Sequence, residues 1–544
     1  MASSSRAVPR RAGGAPGGRL AARMRAHAAR AAWAAVGLAA VVAAWQALHD
    51  LARLPDRVLP APATILASAA ARSSSLACAA WTTAAEGMAG MAAGIAVGML
   101  LAFAASLWPR AARIAAPILV VSQTIPLIAV APLMVIWMGF SITSKIVVVA
   151  VFTAFPVALA LLRGINLTPG ALTDPLAVAG ASRAWIMIHA RLPWAHAHLF
   201  SGIRIAATYA FASAATAEFM GAKRGLGVFL LSAQASFRTD LVFAGAGTLV
   251  VMTLLLYGLV GAAEALTYRR RLPSPRGKAT EGEDLAPGPI ALENIAKTYD
   301  SSRGAVCALR GASLAVSAGR IAAVVGPSGC GKSTLIRIVA GLEAPDSASE
   351  ARAKGRSCGA LMPQSDSLAP WLNVRDNVAI PLVLAGTSKE DARNAAQAAL
   401  EDLGLGGFAS HRPEELSGGM RARIAFARTM LTPARAILLD EPFGALDALT
   451  RATACDWLAG VLHENPRTTV IVTHDILEAV QLADEVHVMS ERPGRVTRSI
   501  PIDLPRPRGA ETRRLKRFHD LCARVEDALT TPDGRTTNEG TPCH

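Results

Sequence analysis

The sequence predicts two domains of different class: an all-α unit of six membrane-spanning helices, then an α/β unit built on a phosphate-binding P-loop. Three observations predict it. Apolar runs of near-spanning length are confined to the first half, and arginine clusters flank them. In the second half, short β-type runs alternate with helical stretches around a Gly-rich loop. The 544 residues exceed what one hydrophobic core organises. Apolar residues make up 52%, charged residues only 17%, and the net charge is +15. A chain that binds nucleic acid through its charge is rich in Lys and Arg and poor in apolar runs. Here the basic excess accompanies a mean hydropathy of +0.35, so the partner expected is a lipid bilayer and not nucleic acid.

Residues 1–30 carry seven arginines and no acid, and read as a basic cytoplasmic N-terminus. The transmembrane domain is expected over 31–271, with spans at 31–48, 85–107, 113–138, 143–162, 199–220 and 242–266. Each is close to the roughly 20 residues that cross a bilayer. Counted this way, the N-terminal arginines, Arg110 with Arg113, and Arg269, Arg270 and Arg271 share one side, which identifies the cytoplasm. Residues 272–289, with four prolines, read as a linker, followed by an α/β domain at 290–505 and a C-terminal helix and tail at 506–544. The seven cysteines are odd in number and form no CxxC pair, which argues against a disulfide framework or zinc site and for a reducing compartment.

The sharpest motif is Gly326-Pro-Ser328-Gly329-Cys330-Gly331-Lys332-Ser333-Thr334. An apolar strand precedes it and a helical stretch follows. Glycines there let backbone N–H groups converge on a phosphate, at a helix N-terminus whose dipole favours an anion. Lys332 is expected to reach the β/γ-phosphates and Ser333 to ligate Mg²⁺. The apolar strand ending in Asp440 and Glu441 supplies the acids that such a site needs, one for Mg²⁺ and one for the attacking water.

With these residues the chain resembles the ATP-binding cassette (ABC) ATPases over about 290–505. Leu416-Ser417-Gly418-Gly419-Met420 resembles their signature loop, and Ala445-Leu446-Asp447 their D-loop. The resemblance implies that Gln364 senses Mg²⁺ and that His474 is the switch histidine on the γ-phosphate. It also implies that Tyr299, 27 residues before Gly326, stacks on adenine. One complete set per chain implies a homodimer with twelve spans, in which each signature loop covers the partner's ATP. The chain departs from the family pattern between 346 and 359, where the expected β-subdomain looks trimmed or shifted.

The segment from Asp174 through Gly180 to Leu192-Pro193 resembles the coupling motif of importer permeases, Glu-Ala-Ala … Gly … Ile-x-Leu-Pro. Pro175 replaces an Ala and Ala190 stands where Ile is usual. Gly180 would allow a tight turn between two short helices that seat on the ATPase. Further stretches through 59–240 resemble permeases of the nitrate, sulfonate, taurine and thiamine-precursor group. Among them, Ser122-Gln-Thr-Ile-Pro126 and Ser236-Phe-Arg-Thr-Asp240 are most similar to the type for the thiamine pyrimidine precursor or riboflavin.

The resemblance implies an ATP-driven importer in a bacterial inner membrane, fed by a periplasmic substrate-binding protein. The rival readings are an exporter or flippase, and a mechanotransmission complex that moves no solute. Glu218, at the end of the fifth span, reads either as a gate or as a carboxylate held for packing. No row of acids or bases marks a path for a strongly charged solute, which favours a neutral or aromatic cargo. Apolar residues at helical spacing over 511–529 predict a helix packed on the ATPase.

Overall fold

The computed structural model describes residues 36–52 (38 excepted), 55–107, 117, 125–267 (221 excepted) and 286–530, the last without 302–303, 348–349, 352–358, 366, 445 and 465. It divides into two compact units, 1–162 with 199–262, and 163–198 with 263–544.

The first unit is helical. Among the described residues, three helices are long and apolar enough to cross a membrane: Ser73–Leu107, Ile142–Asn166 and Thr239–Thr267. They match the second, fourth and sixth expected spans. The fifth is the helix His196–Glu218, which carries Arg204 and falls short of that apolarity. Of the third, only Leu127–Met138 is described as a helix; the first begins outside the described residues. Without a hydrophobic drive in lipid, helices associate where small residues let backbones approach. Gly90 and Gly94, one turn apart, do this here: a methyl group at either would collide with Val149 or Thr153 of the facing helix. Met91, Val149, Phe211, Leu256 and Val260 pack into the core of this unit.

In the second unit, β1 (Ile290–Ser301) and β2 (Gly304–Val316) form an antiparallel pair, and the short β4 (Glu350–Ala351) adds to β1. That short strand lies within the segment that departs from the family pattern, and Ser347 bridges to Ala296 just before it. The main sheet contains β3 (Ile321–Val325), β5 (Gly359–Met362), β6 (Ala436–Asp440), β7 (Thr468–Thr473), β8 (Glu485–Met489) and β9 (Val496–Pro501). Its order is β5-β6-β7-β3-β8-β9, parallel except for β9. Every residue of β3, β5, β6 and β7 is buried. Strands covered on both faces read as continuous apolar runs, which is why Ile-Ala-Ala-Val-Val and Ala-Ile-Leu-Leu look as they do. The helix Lys516–Thr530 buries Phe518, Leu521, Val525 and Ala528 in the same core as β3 and β6.

Residues 163–198 belong to this second unit. The helix Gly170–Val178 ends at a turn in which Gly180 has φ +88°, a left-handed conformation that only glycine adopts freely. Ser182 then caps the next turn, its Oγ accepting from the Trp185 N–H at 3.2 Å. The helix continues through Arg183–Ile186 and a π-turn, Met187–Arg191, to Leu192–Trp194.

Candidate nucleotide site and coupling segment

Four neighbouring parallel strands deliver the site. In an open α/β sheet, ligands bind beyond the carboxyl ends of the strands. The P-loop follows β3, Asp440 ends β6, Gln364 lies just beyond β5 and His474 just beyond β7. The strand order β5-β6-β7-β3 makes these ends adjacent, although the residues span 326–474 in sequence.

The P-loop needs glycine for its shape: Gly329 and Gly331 have φ +76° and +105°. Lys332 begins the helix Lys332–Val339 and is buried, its Nζ donating to the carbonyls of Gly326 at 2.7 Å and Pro327 at 2.9 Å. The ammonium is thus folded inside the loop. Ser333 Oγ lies 3.4 Å from Asp440 Oδ1. Asp440 is buried, and desolvation pushes its carboxyl above the usual range. A buried acid beside a hydroxyl, with no cationic side chain bonded to it among the described residues, is the donor set expected for a hard cation.

Glu441 occupies the left-handed region at φ +48°, uncommon for a residue with a side chain and often found at functional sites. Its two oxygens are both engaged. Gln364 Nε2 donates to Oε2 at 2.8 Å, and His474 Nδ1 lies 3.4 Å from Oε1. Three of the residues expected in the site therefore meet at one carboxylate.

Tyr299 is partly exposed, and its hydroxyl contacts Thr334 Oγ1 at 3.4 Å and donates to Glu343. Burial, then the bond to Glu343, push its phenol above the usual range. Ser417 caps the helix Gly418–Met430, accepting from the Met420 N–H at 3.3 Å. Among the described residues, Ser417, Gly418 and Gly419 take no part in the network around the P-loop.

The segment that resembles the coupling motif packs within the same unit as the nucleotide site. Leu172, Leu176, Trp185 and Ile186 join the buried cluster that contains Trp371, Leu372 and Ile380. A cavity of about 330 Å³ remains beside them, lined by Trp185, His189, Pro193, Trp371 and Arg428. Asp174 pairs with Arg337, on the helix that follows the P-loop. Arg337 Nε also donates to Glu343 Oε1 at 2.6 Å. The sequence reading missed Arg337 and Glu343. The one available signal was their spacing: Arg337 lies on the P-loop helix and Glu343 just past its end.

In the helical unit Glu218 is buried, accepting from Thr83 Oγ1 at 2.7 Å and the Gly227 N–H at 2.5 Å. Its carboxylate also lies against Gly225, where a Cβ would collide with it. Both oxygens are used within the fold, the packing arrangement of the two readings. Lys145, part-buried, and Glu86, buried, lie on two different helices and form an ion pair at 2.7 Å.

Two family profiles match the chain: "Binding-protein-dependent transport system inner membrane component" over 94–267, and "ABC transporter" over 309–444. An aliphatic sulfonates import ATP-binding protein of Rhizobium johnstonii is 42% identical over 229 residues, 41% of this chain and 80% of that protein. A taurine import ATP-binding protein of Burkholderia thailandensis is 40% identical over 224 residues, 40% of this chain and 85% of that protein. A bicarbonate transport ATP-binding protein of Synechococcus elongatus is 41% identical over 229 residues; this chain spans 34% of its length. A solved dimeric ATP-binding cassette with ADP and phosphate is 29% identical at a TM-score of 0.36, covering 40% of this chain and 99% of that one. With a permease of the binding-protein-dependent type and a cassette ATPase on one polypeptide, the chain belongs to the ABC transporter family.

Proposed function

We propose that the protein is an ATP-driven importer in a bacterial inner membrane, working as a homodimer and receiving its solute from a periplasmic binding protein. The observation that carries this reading is the gathering of Lys332, Ser333, Asp440, Glu441, Gln364 and His474 at four adjacent strand ends. It lies on the same chain as a permease matched to the binding-protein-dependent type.

Hydrolysis at this site is mostly positioning and charge neutralisation. Lys332, released from the Gly326 and Pro327 carbonyls, would meet the β/γ-phosphates, and backbone N–H groups of 329–334 would cradle the α/β-phosphates. Ser333, Asp440 and Gln364 would hold Mg²⁺, which when bound neutralises phosphate charge. Glu441 would polarise the attacking water, and His474 would move from Glu441 to the γ-phosphate. Tyr299 would stack on adenine. Ser417, Gly418 and Gly419 stand outside this network, so they would complete the site of a second copy. Asp174, Gly180, Leu192 and Pro193 would carry cassette closure to the spans.

For the cargo, the thiamine pyrimidine precursor or riboflavin is favoured, on the stretches 122–126 and 236–240. Residues 122–124 lie outside the described residues. The relatives' names make sulfonates, taurine and bicarbonate the competing classes. The test is ATP-dependent uptake into proteoliposomes, after a ligand screen of the cognate binding protein against these compounds and nitrate. Uptake that needs the binding protein supports an importer. Movement in the opposite direction without it makes the protein an exporter, and ATP turnover with no solute movement makes it a mechanotransmission complex.

A further inference from the structure

The turn after β8, far from every motif above in sequence, lies directly on the P-loop. Arg492 Nε and Nη2 donate to the same acceptor, the Gly329 carbonyl, at 3.0 and 2.9 Å. Gly494 packs so closely on the Cys330 carbonyl that a Cβ there would collide with it. Backbone bonds anchor the turn: Gly494 N–H donates to Ala308 O at 2.9 Å, and Arg310 N–H to Gly494 O at 3.1 Å. The P-loop is therefore flanked by β2 and by the turn carrying Arg492.

A trans peptide is planar, with its C=O and N–H on opposite sides. Holding the Gly329 carbonyl outward turns the Cys330 N–H inward, where it donates to Pro327 O at 3.3 Å, the carbonyl that also accepts from the Lys332 ammonium and that both would leave for a phosphate. Gly329, at φ +76°, has no side chain to restrict that peptide, so an external brace decides its orientation. A forked guanidinium suits this role because it gives two donors in fixed geometry, whereas an ammonium is a single point.

We propose that Arg492 is a positioning residue of the nucleotide site: it orients the Gly329–Cys330 peptide so that the Cys330 N–H is presented to the α/β-phosphates. This rests on the nucleotide-site reading above. Arg492 bonds to none of the residues assigned to the γ-phosphate or the water, so its contribution lies in binding and not in the chemical step.

The test uses the full chain purified in lipid nanodiscs, with ATPase kinetics and direct binding of ATP, ADP and adenosine. Arg492→Ala is expected to raise KM for ATP and Kd for ATP and ADP alike by roughly tenfold, as for loss of a charge-assisted hydrogen bond. Adenosine binding and kcat should stay within about twofold on the same argument. Arg492→Lys should recover only part of the loss. A fall in kcat at unchanged KM, or equal losses for adenosine and ADP, overturns the proposal. So does a variant that is merely less thermostable with normal nucleotide affinity. Lys332→Ala run alongside separates the two readings. If it too hydrolyses ATP normally, the nucleotide site itself is misassigned; if it is dead while Arg492→Ala binds ADP normally, only the role of Arg492 falls.

Discussion

Asp174 and Arg337 are ion-paired across 163 residues of sequence, joining the first helix of the coupling segment to the helix that carries Lys332. Arg337 also holds Glu343, and Glu343 accepts the Tyr299 hydroxyl, so a polar chain runs from the proposed adenine platform to the segment proposed to drive the spans. Removing one partner of such a pair strands the other charge, whereas exchanging both restores it. Asp174→Arg and Arg337→Asp are each expected to cut ATP-driven uptake roughly tenfold, the scale of a charge-assisted hydrogen bond. The reciprocal double variant should recover only part of it, because residue 337 then no longer holds Glu343. Uptake and ATPase assays on the four proteins check this, and a double variant no better than either single one rules the pair out as a coupling element.

Gly180 makes a separate demand on the same segment. A Cβ there would meet nothing within 4 Å, so only its φ of +88° requires glycine. Asn tolerates that region better than Ala, and a β-branched residue least. The solute moved per ATP hydrolysed should therefore fall in the order Gly, Asn, Ala, Val, with nucleotide binding unchanged throughout. Left-handed backbone costs Ala about 1–2 kcal/mol. Equal effects of Asn and Val would mean that something other than backbone conformation is being disturbed.

The nucleotide site was legible because its geometry is local: glycines at fixed offsets from Lys332 force the loop, and apolar runs force the buried parallel strands. The order that brings Gln364 and His474 to Glu441 was supplied only by resemblance, because nothing local to those residues encodes strand adjacency. Arg337, Glu343 and Arg492 were invisible for the same reason. Each is an ordinary polar residue until topology places a partner opposite it. In the helical unit, Glu86 and Lys145 lie in apolar runs on separate helices, and sequence shows that each is costly without showing that they meet. The fifth span was legible at 199–220 although Arg204 and the polar residues around it dilute its apolarity.

At the proposed nucleotide site, Lys332→Ala should abolish ATP turnover. Glu441→Gln should still bind ATP and accumulate closed dimers, because the amide keeps the Gln364 contact yet polarises water poorly. Size-exclusion chromatography with and without ATP, alongside single-turnover hydrolysis, checks both. Normal multiple turnover by Glu441→Gln would remove it from the chemistry.

Glu478 gives the cassette a pH dependence of definite sign. It is buried, accepts from Thr473 Oγ1 at 2.6 Å, and desolvation raises its carboxyl to about 7. The folded state therefore keeps a proton that the unfolded chain loses near 4.5, so stability falls as pH rises between those values and is level outside them. The full span corresponds to up to about 3 kcal/mol. Glu478→Gln should be nearly neutral at pH about 4.5 and increasingly stabilising, relative to the parent, towards pH about 7. Thermal unfolding of both proteins at matched pH reads the difference directly, which cancels the similar contribution of Asp440. A gap that does not widen with pH would show that Glu478 is not the titrating group.

The buried pair in the helical unit yields the last expectation. Lys145 Nζ donates to Glu86 Oε1, while Glu86 Oε2 is buried with no hydrogen-bond partner among the described residues. Such a pair is weak evidence for stability, since desolvating two charges costs about what their attraction returns. Breaking it is another matter. Glu86→Gln or Lys145→Met alone leaves one buried charge uncompensated and should destabilise the protein by about 3–5 kcal/mol. Glu86→Gln with Lys145→Met removes both charges and should return most of that loss. Unfolding in detergent measures all four proteins. If the folded double variant is as stable as the parent yet transports nothing, the pair is kept for the transport cycle, because intramembrane charges are retained where function requires them. If it is stable and transports normally, the pair is only a packing solution between two helices.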